Sequence, residues 1–218
     1  MCGRYRAQTT GADVEKLWKV PPSEAAEAAM ERREVRPTTQ ITVITSTDDG
    51  PRMEAVRWGI QPAWGKSPRP IINARDDKIA TSRLWKGLAT HASSRALIVC
   101  DGWYEWLRPE QPNAKAKAQP FLHVLDEGRL FALAGLIGDA AVKGETMAAA
   151  TIITTAAAGA AARIHDRMPV VLPDLDRQLA WLSDDLGLDD VVELCAPLAE
   201  GITASPVDLG SERPVNSR

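Results

Sequence analysis

The sequence is sparing with cysteine, lacks a long apolar run and shows no excess of positive charge. Its 3 cysteines, Cys2, Cys100 and Cys195, are too few and too scattered for a disulfide framework or a zinc site. That usage fits a reducing cytosol, and neither a metal nor a cofactor is expected. No basic N-terminal segment leads into an apolar stretch, which excludes a signal peptide and a lipoprotein cleavage site. The longest uncharged stretch, Met147 to Ala162, is rich in Ala and Thr and falls short of the ~20 apolar residues of a membrane span. A cytoplasmic protein without a membrane partner is expected. The formal net charge of -3 argues against a histone-like coat for nucleic acid, but leaves room for a local basic groove if the acidic residues lie on another face. With 218 residues, 44% of them hydrophobic, the chain can bury the core of one large domain or two small ones.

What is present starts at the second residue. The chain opens Met1-Cys2-Gly3-Arg4, and a side chain as small as that of Cys2 lets methionine aminopeptidase remove the initiator, leaving Cys2 as the mature N-terminus. One residue then carries a free α-amine and a thiol. With an amine pKa of ~7.7–8.0 and a thiol pKa of ~8.5, roughly a tenth of such an amine is neutral and a few per cent of the thiol is thiolate at neutral pH. A 1,2-aminothiol traps an aldehyde twice, first as a Schiff base through nitrogen and then as a five-membered thiazolidine when sulfur closes the ring. A start codon that happens to precede Cys would look the same, so the rest of the chain has to decide.

Thr10 and Asp13 have the spacing of a capping box, and Val14, Leu17 and Trp18 follow at helical spacing, which predicts a short helix after an N-terminal strand. Ile41 to Thr45 is β-rich, Asp48-Asp49-Gly50-Pro51 is a turn signal, and Arg52 to Trp58 alternates Met53, Ala55 and Arg57 against Glu54, Val56 and Trp58, which predicts a hairpin. Gly59 to Pro70 reads as loop, and Ala74 to Leu84 as a helix carrying Arg75 and Arg83. Strands are expected at Ala96 to Cys100, Gly102 to Leu107, Phe121 to Leu125, Leu130 to Leu136 and Met147 to Thr155, paired largely with their sequence neighbours. Arg108 to Pro120 is polar and low in complexity, an expected exposed loop. Asp174 to Leu182 and Leu188 to Leu198 read as amphipathic helices, the second ending at Gly201, and Ile202 to Val207 returns as a strand before a loose tail over 208–218. No repeat or linker composition divides the chain. The expectation is one α+β domain whose curved, barrel-like, mostly antiparallel sheet is flanked by helices.

Four islands place unusual residues beside turns: Cys2-Gly3-Arg4-Tyr5, Ile72-Asn73-Ala74-Arg75, Asp101-Gly102-Trp103-Tyr104-Glu105-Trp106 and Ile164-His165-Asp166-Arg167-Met168-Pro169. Together they supply a nucleophile, an amide, a carboxylate, an imidazole and several arginines, which is an active-site inventory. Glu105 sits between Tyr104 and Trp106, where aromatic walls would shield a carboxylate suited to general acid–base work; an outward-facing Glu on a half-exposed strand gives the same pattern. His165 is placed to shuttle a proton, or is a loop histidine with a satisfied hydrogen bond. Asn73 suits a strand end where an amide orients a reacting group, and equally an N-cap. Arg4, Arg75, Arg83, Arg163 and Arg167 make a phosphate track if they converge. Trp58, Trp64, Trp103 and Trp106 offer faces for splayed bases, although at least half of the 7 tryptophans are expected to be packing residues. His91 and His123 read as structural or solvated.

In this order the islands resemble the SOS-response-associated-peptidase family, the SRAP domain that processes abasic sites. Its signatures look like Met-Cys-Gly-Arg at the start, Asn-Ala-Arg in the first half, Gly-Trp/Phe-Tyr/Phe-Glu-Trp in the middle and Ile-His-Asp-Arg-Met-Pro late, and the likeness extends over residues 1–207. The resemblance implies a protein that recognises abasic sites in single-stranded DNA and links Cys2, after Met1 removal, to the sugar aldehyde. It implies Cys2 as the crosslinking residue, Asn73 as the positioning amide, Glu105 as the acid–base carboxylate and His165 as the proton-transfer histidine. Arg4, Arg75, Arg83 and Arg167 are implied DNA contacts, and Trp64 and Trp106 are expected to join them by stacking on bases. It also implies abasic-site lyase or self-processing peptidase activity. A monomer is expected, associated with the nucleoid when bound to DNA. Three stretches depart from the pattern: Asp77 stands where a Glu is usual, Glu34-Val35-Arg36-Pro37 replaces an Asn-containing segment, and Ala63-Trp64-Gly65-Lys66 offers one tryptophan where some members have two. Three rival readings are an N-terminal-nucleophile glutamine amidotransferase, a non-catalytic single-strand-binding module, and proteolysis by Cys2.

Overall fold

The structure, a computed structural model, describes residues 2–65, 69–108 and 118–209. Met1, most of the expected loop over 108–120, part of the expected loop over 59–70 and the expected tail from Gly210 lie outside the described residues. In chain order the strands are β1 (Arg4–Ala7), β2 (Arg32–Val35), β3 (Gln40–Thr47), β4 (Gly50–Trp58), β5 (Asn73–Arg75), β6 (Arg95–Cys100), β7 (Gly102–Leu107), β8 (Gln119–Leu125), β9 (Phe131–Val142), β10 (Glu145–Ala156), β11 (Arg167–Pro169), β12 (Val171–Leu172) and β13 (Ile202–Pro206). The α-helices are α1 (Gly11–Trp18), α2 (Glu24–Ala28), α3 (Asp76–Ile79), α4 (Arg83–Ala89), α5 (Leu175–Leu182) and α6 (Leu188–Leu194).

Five strands close a ring. β4 pairs antiparallel with β3, β3 with β6, β6 with β9 and β9 with β10, and β10 returns to β4 through a parallel contact, Ala149 to Arg57 and Ala150 to Trp58. β5 and β11 extend β10, and β12 extends β9. The second sheet is antiparallel throughout, in the order β13-β8-β7-β1-β2. Closure leaves the ring strands no free edge. It also needs close approach: a Cβ at Gly135 would stand 2.8 Å from Ile98 Cδ1 and 3.2 Å from the Thr151 carbonyl, so only glycine lets β9 sit between β6 and β10.

Alternation along the ring strands divides the interior into two cores. Leu97 and Val99 of β6 face the layer of helices, where Val14, Trp18, Trp85, Trp181 and Val191 pack. Ala96, Ile98 and Cys100 face the second sheet, with Tyr5, Trp58, Trp103, Phe131 and Cys2. This explains a departure in β4: Met53, Val56 and Trp58 are all buried although they point to opposite sides, because both faces of a ring strand are covered. The architecture is the expected α+β unit.

Helix ends follow local chemistry. The Thr10–Asp13 capping box opens α1, Lys19 closes it in a left-handed conformation, and Trp18 Nε1 donates to Gln178 Oε1 at 2.7 Å, tying α1 to α5. Asp174 caps α5 by accepting from the Arg177 N–H at 2.9 Å. Arg95 is fully buried and bonds the carbonyls of Ala89, Trp181 and Ser183, so one guanidinium holds the C-terminal ends of α4 and α5. Two expectations are corrected. The helix over Ala74 to Leu84 is a strand, β5, followed by two short helices; Ala74 is fully buried against Ile153 of β10, and that pairing overrides its helical propensity. The last helix ends at Leu194 and not near Leu198, since Pro197 disfavours helical geometry at Ala196.

Candidate functional site

The N-terminal segment is an inner strand. β1 pairs with β7 at Arg4 to Tyr104, Tyr5 to Trp103 and Arg6 to Gly102, and with β2 on its other edge. Its register is fixed twice. Tyr5 is buried, with its ring centroid 5.4 Å from that of Trp58, while Arg6 Nε lies 2.8 Å from Asp101 Oδ2 and the Gln8 N–H donates to Asp101 Oδ1 at 3.1 Å. A one-residue slip would expose Tyr5 and bury an arginine. The lock therefore sets where Cys2 lies.

Cys2 is fully buried in the core between the two sheets. Its carbonyl accepts a hydrogen bond from Asn73 Nδ2 at 2.9 Å, across 71 residues of sequence. Asn73 is held in turn as the first residue of β5, opposite Ile152 of β10. Burial first, and then the negative charge of Glu105, push the Cys2 thiol far above its ordinary value of 9.0, so it stays protonated in the native protein.

Glu105 is 4% exposed. The aromatic walls expected from Tyr104 and Trp106 are not what buries it, because neighbours in a strand point to the opposite face. Its own face is that of Trp103, which stacks on His123 at 4.8 Å and meets Phe131 edge-on at 6.2 Å. His123 is buried, which lowers its pKa to about 4 and keeps it neutral, in keeping with a structural part.

His165 enters from the turn between β10 and β11. A 3-10 turn at Ala161–Arg163 precedes it, and the buried Ala161 and Met168 on either side belong to the core that holds Cys2. Its Nδ1 accepts from the Arg167 N–H at 3.0 Å and lies 2.8 Å from Asp166 Oδ1. These are alternative uses of one nitrogen. With Arg167 donating, the neutral ring carries its proton on Nε2; a doubly protonated ring would turn Nδ1–H to Asp166. The strand-to-turn segment before it tolerates no side chain at Gly159, where φ is 54° and a Cβ would stand 2.0 Å from the Ala199 carbonyl oxygen.

Three of the four arginines expected to meet DNA are bonded within the chain. Arg4 Nη1 is 2.5 Å from Glu34 Oε1, and its guanidinium lies 4.8 Å from the Trp106 ring centroid. Arg75 donates from Nε and Nη2 to Asp77 at 2.9 and 3.1 Å in an exposed pair. Arg167 Nη2 bonds Asp76 at 2.8 Å and the Thr154 carbonyl, with a side chain only 11% exposed. Arg83 opens α4 and lines a pocket of about 450 Å³ with Trp64, Leu84, Gly87 and Leu88. Trp64 is 75% exposed, Trp106 is half-buried beneath Arg4, and the other five tryptophans are packing residues. The arginines were legible in the sequence, but their partners Glu34 and Asp76 were not. Asp101 was also passed over, although it had a signal: an acidic residue inside an island, at a turn between two strands. Among the described residues no group of His, Cys, Asp and Glu could hold a metal ion, and no helix is long and apolar enough to cross a membrane.

A family model described as SOS response associated peptidase (SRAP) matches residues 1–211. The abasic site processing protein YedK of Escherichia coli (strain K12) is 30% identical over 202 residues, covering 90% of this chain and 86% of that protein. The abasic site processing protein YoqW of Bacillus subtilis (strain 168) is 29% identical over 187 residues, covering 84% of this chain and 80% of that one. Among solved structures, a protein from Bacteroides thetaiotaomicron superposes with a TM-score of 0.79 at 20% identity, covering 95% of this chain and 93% of that chain. A phage-related protein from Bordetella bronchiseptica superposes with a TM-score of 0.74 at 27% identity, covering 94% of each.

Proposed function

Because the chain belongs to the SOS response associated peptidase family, we propose that it processes abasic sites in DNA, and that it does so by bonding Cys2 to the lesion in single-stranded DNA once Met1 is gone. The observation that carries this reading is the Asn73 bond to the Cys2 carbonyl. It fixes the one polar group of Cys2 that takes no part in the chemistry and leaves the amine and thiol as the reacting ends.

The ring-opened sugar of an abasic site presents C1′ as an aldehyde. The Cys2 amine adds to it, a proton delivered through His165 lets the carbinolamine oxygen leave as water, and an iminium remains. The thiol sulfur then bonds to C1′, the carbon–nitrogen π electrons return to nitrogen, and the thiol proton passes to Glu105. Aldehyde and aminothiol become thiazolidine and water. The order of attack follows from the electrostatics: a thiol kept protonated by burial and by Glu105 is a poor first nucleophile, so nitrogen reacts first and Glu105 takes the sulfur's proton only as the second bond forms. Ring closure within one residue has an effective molarity on the order of 10⁵ M where geometry is good, which favours a lasting adduct over β-elimination of the Schiff base. Strand cleavage would be the lyase outcome of the same intermediate, and peptidase activity is limited in this reading to exposing Cys2. A splayed single strand presents the sugar without the unpairing cost of a duplex.

The test is incubation of the processed protein with an abasic single-stranded oligonucleotide, followed by denaturing electrophoresis and intact mass. An adduct of protein plus oligonucleotide less water is expected. Cys2→Ala keeps an α-amine and can still form a Schiff base, but has no sulfur to close the ring. A denaturation-resistant adduct at full yield from that variant would refute the reading.

A further inference from the structure

The internal ion pairs differ in what they hold. Arg167 is a largely buried strut between Asp76 and Thr154. Arg75 and Asp77 are about half exposed, at 52% and 45%, so their pair contributes little and exchanges readily with solvent. Arg4 is a different case. It lies two residues from Cys2, its partner Glu34 is only 18% exposed, and its cation also rests on the Trp106 ring. Glu34 is itself clamped from the other side: Arg36 donates from Nε to Oε1 at 3.1 Å and from Nη2 to Oε2 at 2.9 Å. Burial opposes ionisation there, but the Arg36 and Arg4 guanidiniums outweigh it and hold the Glu34 carboxyl below its ordinary 4.5. The anion beside Arg4 is therefore permanent at neutral pH and stays in place even if Arg4 swings away, because Arg36 keeps it.

We propose that Glu34 is a specificity-determining residue: its carboxylate occupies Arg4 as a DNA phosphate would, so that undamaged single-stranded DNA must displace an internal anion to settle beside Cys2. This rests on the reading that single-stranded DNA is the partner of the site. A phosphate arriving at Arg4 meets a carboxylate within reach of the same guanidinium, and the like charges oppose each other. An intact strand has nothing to offset that exchange. A strand with an abasic site does, since the bond to Cys2 makes capture last however weak the prior contact. Glu34 thus lowers the background of unproductive binding without touching the reacting atoms. The role is one of positioning and selection, exercised through Arg4.

The test uses the whole chain and an undamaged, fluorescently labelled single-stranded oligonucleotide, with binding read by anisotropy over a series of salt concentrations. Glu34→Gln keeps the shape and the hydrogen-bonding oxygen and removes the charge. It is expected to bind about tenfold more tightly at low salt, with a salt slope steeper by about 0.7, the signature of one more phosphate neutralised on a single strand. Asp77→Asn removes an equal charge from an exposed pair and is expected to change affinity less than threefold. Equal gains in the two variants would reduce the effect to net charge and overturn the proposal, as would an unchanged slope in Glu34→Gln. The unmodified protein supplies a measurement that no folding defect can spoil: with Arg4 occupied, its slope should be no steeper than about −1.4, two phosphates at about 0.7 each, and a steeper slope overturns the idea. No detectable single-strand binding by either protein also overturns it. Failure of the covalent reaction on abasic DNA would leave these readings intact, because they are made on undamaged strands.

Discussion

The three thiols make a prediction that needs no DNA. Cys2, Cys100 and Cys195 are each at most 2% exposed. Burial is the main cause of a raised pKa in each, aided by the charge of Glu105, Asp101 and Asp76 respectively; Cys195 is pushed up to about 12, and the other two also lie well above the ordinary 9.0. An acid whose native pKa is raised keeps its full stabilising effect below the unfolded pKa and loses it as pH rises beyond, since only the unfolded chain can then release the proton. At pH 10, one unit above 9.0, each thiol removes about 1.4 kcal/mol, about 4 kcal/mol for the three. Tyr5, raised first by burial, adds to the loss above pH 10. A loss of about 4 kcal/mol is a large part of the ~5–15 kcal/mol that holds a domain together. Urea unfolding followed by tryptophan fluorescence at pH 8, 9 and 10 should show a fall of about 1 kcal/mol over the first step and about 3 kcal/mol over the second. Cys195→Ala should remove about a third of the fall. Constant stability from pH 8 to pH 10, or an unaltered slope in that variant, would refute the argument.

Two further outcomes follow from single bonds. Asn73→Ala strands the buried Cys2 carbonyl and should destabilise the protein by about 1–3 kcal/mol while slowing adduct formation by tenfold or more, both read on one preparation by urea unfolding and by timed denaturing gels; a variant that reacts at the original rate would show that the amide does not position the terminus. Arg95→Met leaves three helix-terminal carbonyls without their donor and should lower stability by about 3 kcal/mol or more, at about 1–3 kcal/mol per stranded carbonyl, an outcome that a loss under about 1 kcal/mol in urea unfolding would contradict.

Segments that specify themselves were legible. The Thr10–Asp13 box and the Asp48-Asp49 turn act over three or four residues, and both appear as expected, as do the strands from Arg95 to Leu107. What sequence patterns could not show is long-range pairing. The expected preference for neighbouring strands holds for β3 with β4, β7 with β8 and β9 with β10, yet ring closure depends on β3 with β6, β6 with β9 and the parallel return of β10 to β4. Asn73-Ala74-Arg75 illustrates the cost of reading locally. Its composition suits a helix start, but a vacant edge on β10 takes it as a strand, and that placement brings the Asn73 amide to Cys2. Burial of Glu105 was expected for the wrong reason, since its flanking aromatics belong to the opposite face.

Charge was the least legible property of all. Residue types reveal arginines, but not that Glu34, Asp76 and Asp77 hold three of them, pairings that span 2 to 91 residues. The net charge of -3 left room for a bare basic groove if the acidic residues lay on another face. Several instead sit on the arginines themselves. Arginines paired in this way are near neutral at close range, and their attraction for a polyanion fades within a Debye length of about 8–10 Å in physiological salt. In the proposed function, selection for the lesion then comes from contact chemistry. The residues proposed to supply it, Cys2 and Asn73, are joined by an uncharged hydrogen bond at the fully buried Cys2, where salt has little effect. The consequence is a separation of terms: salt should weaken capture of DNA through its effect on encounter, and leave the rate of ring closure after encounter nearly unchanged.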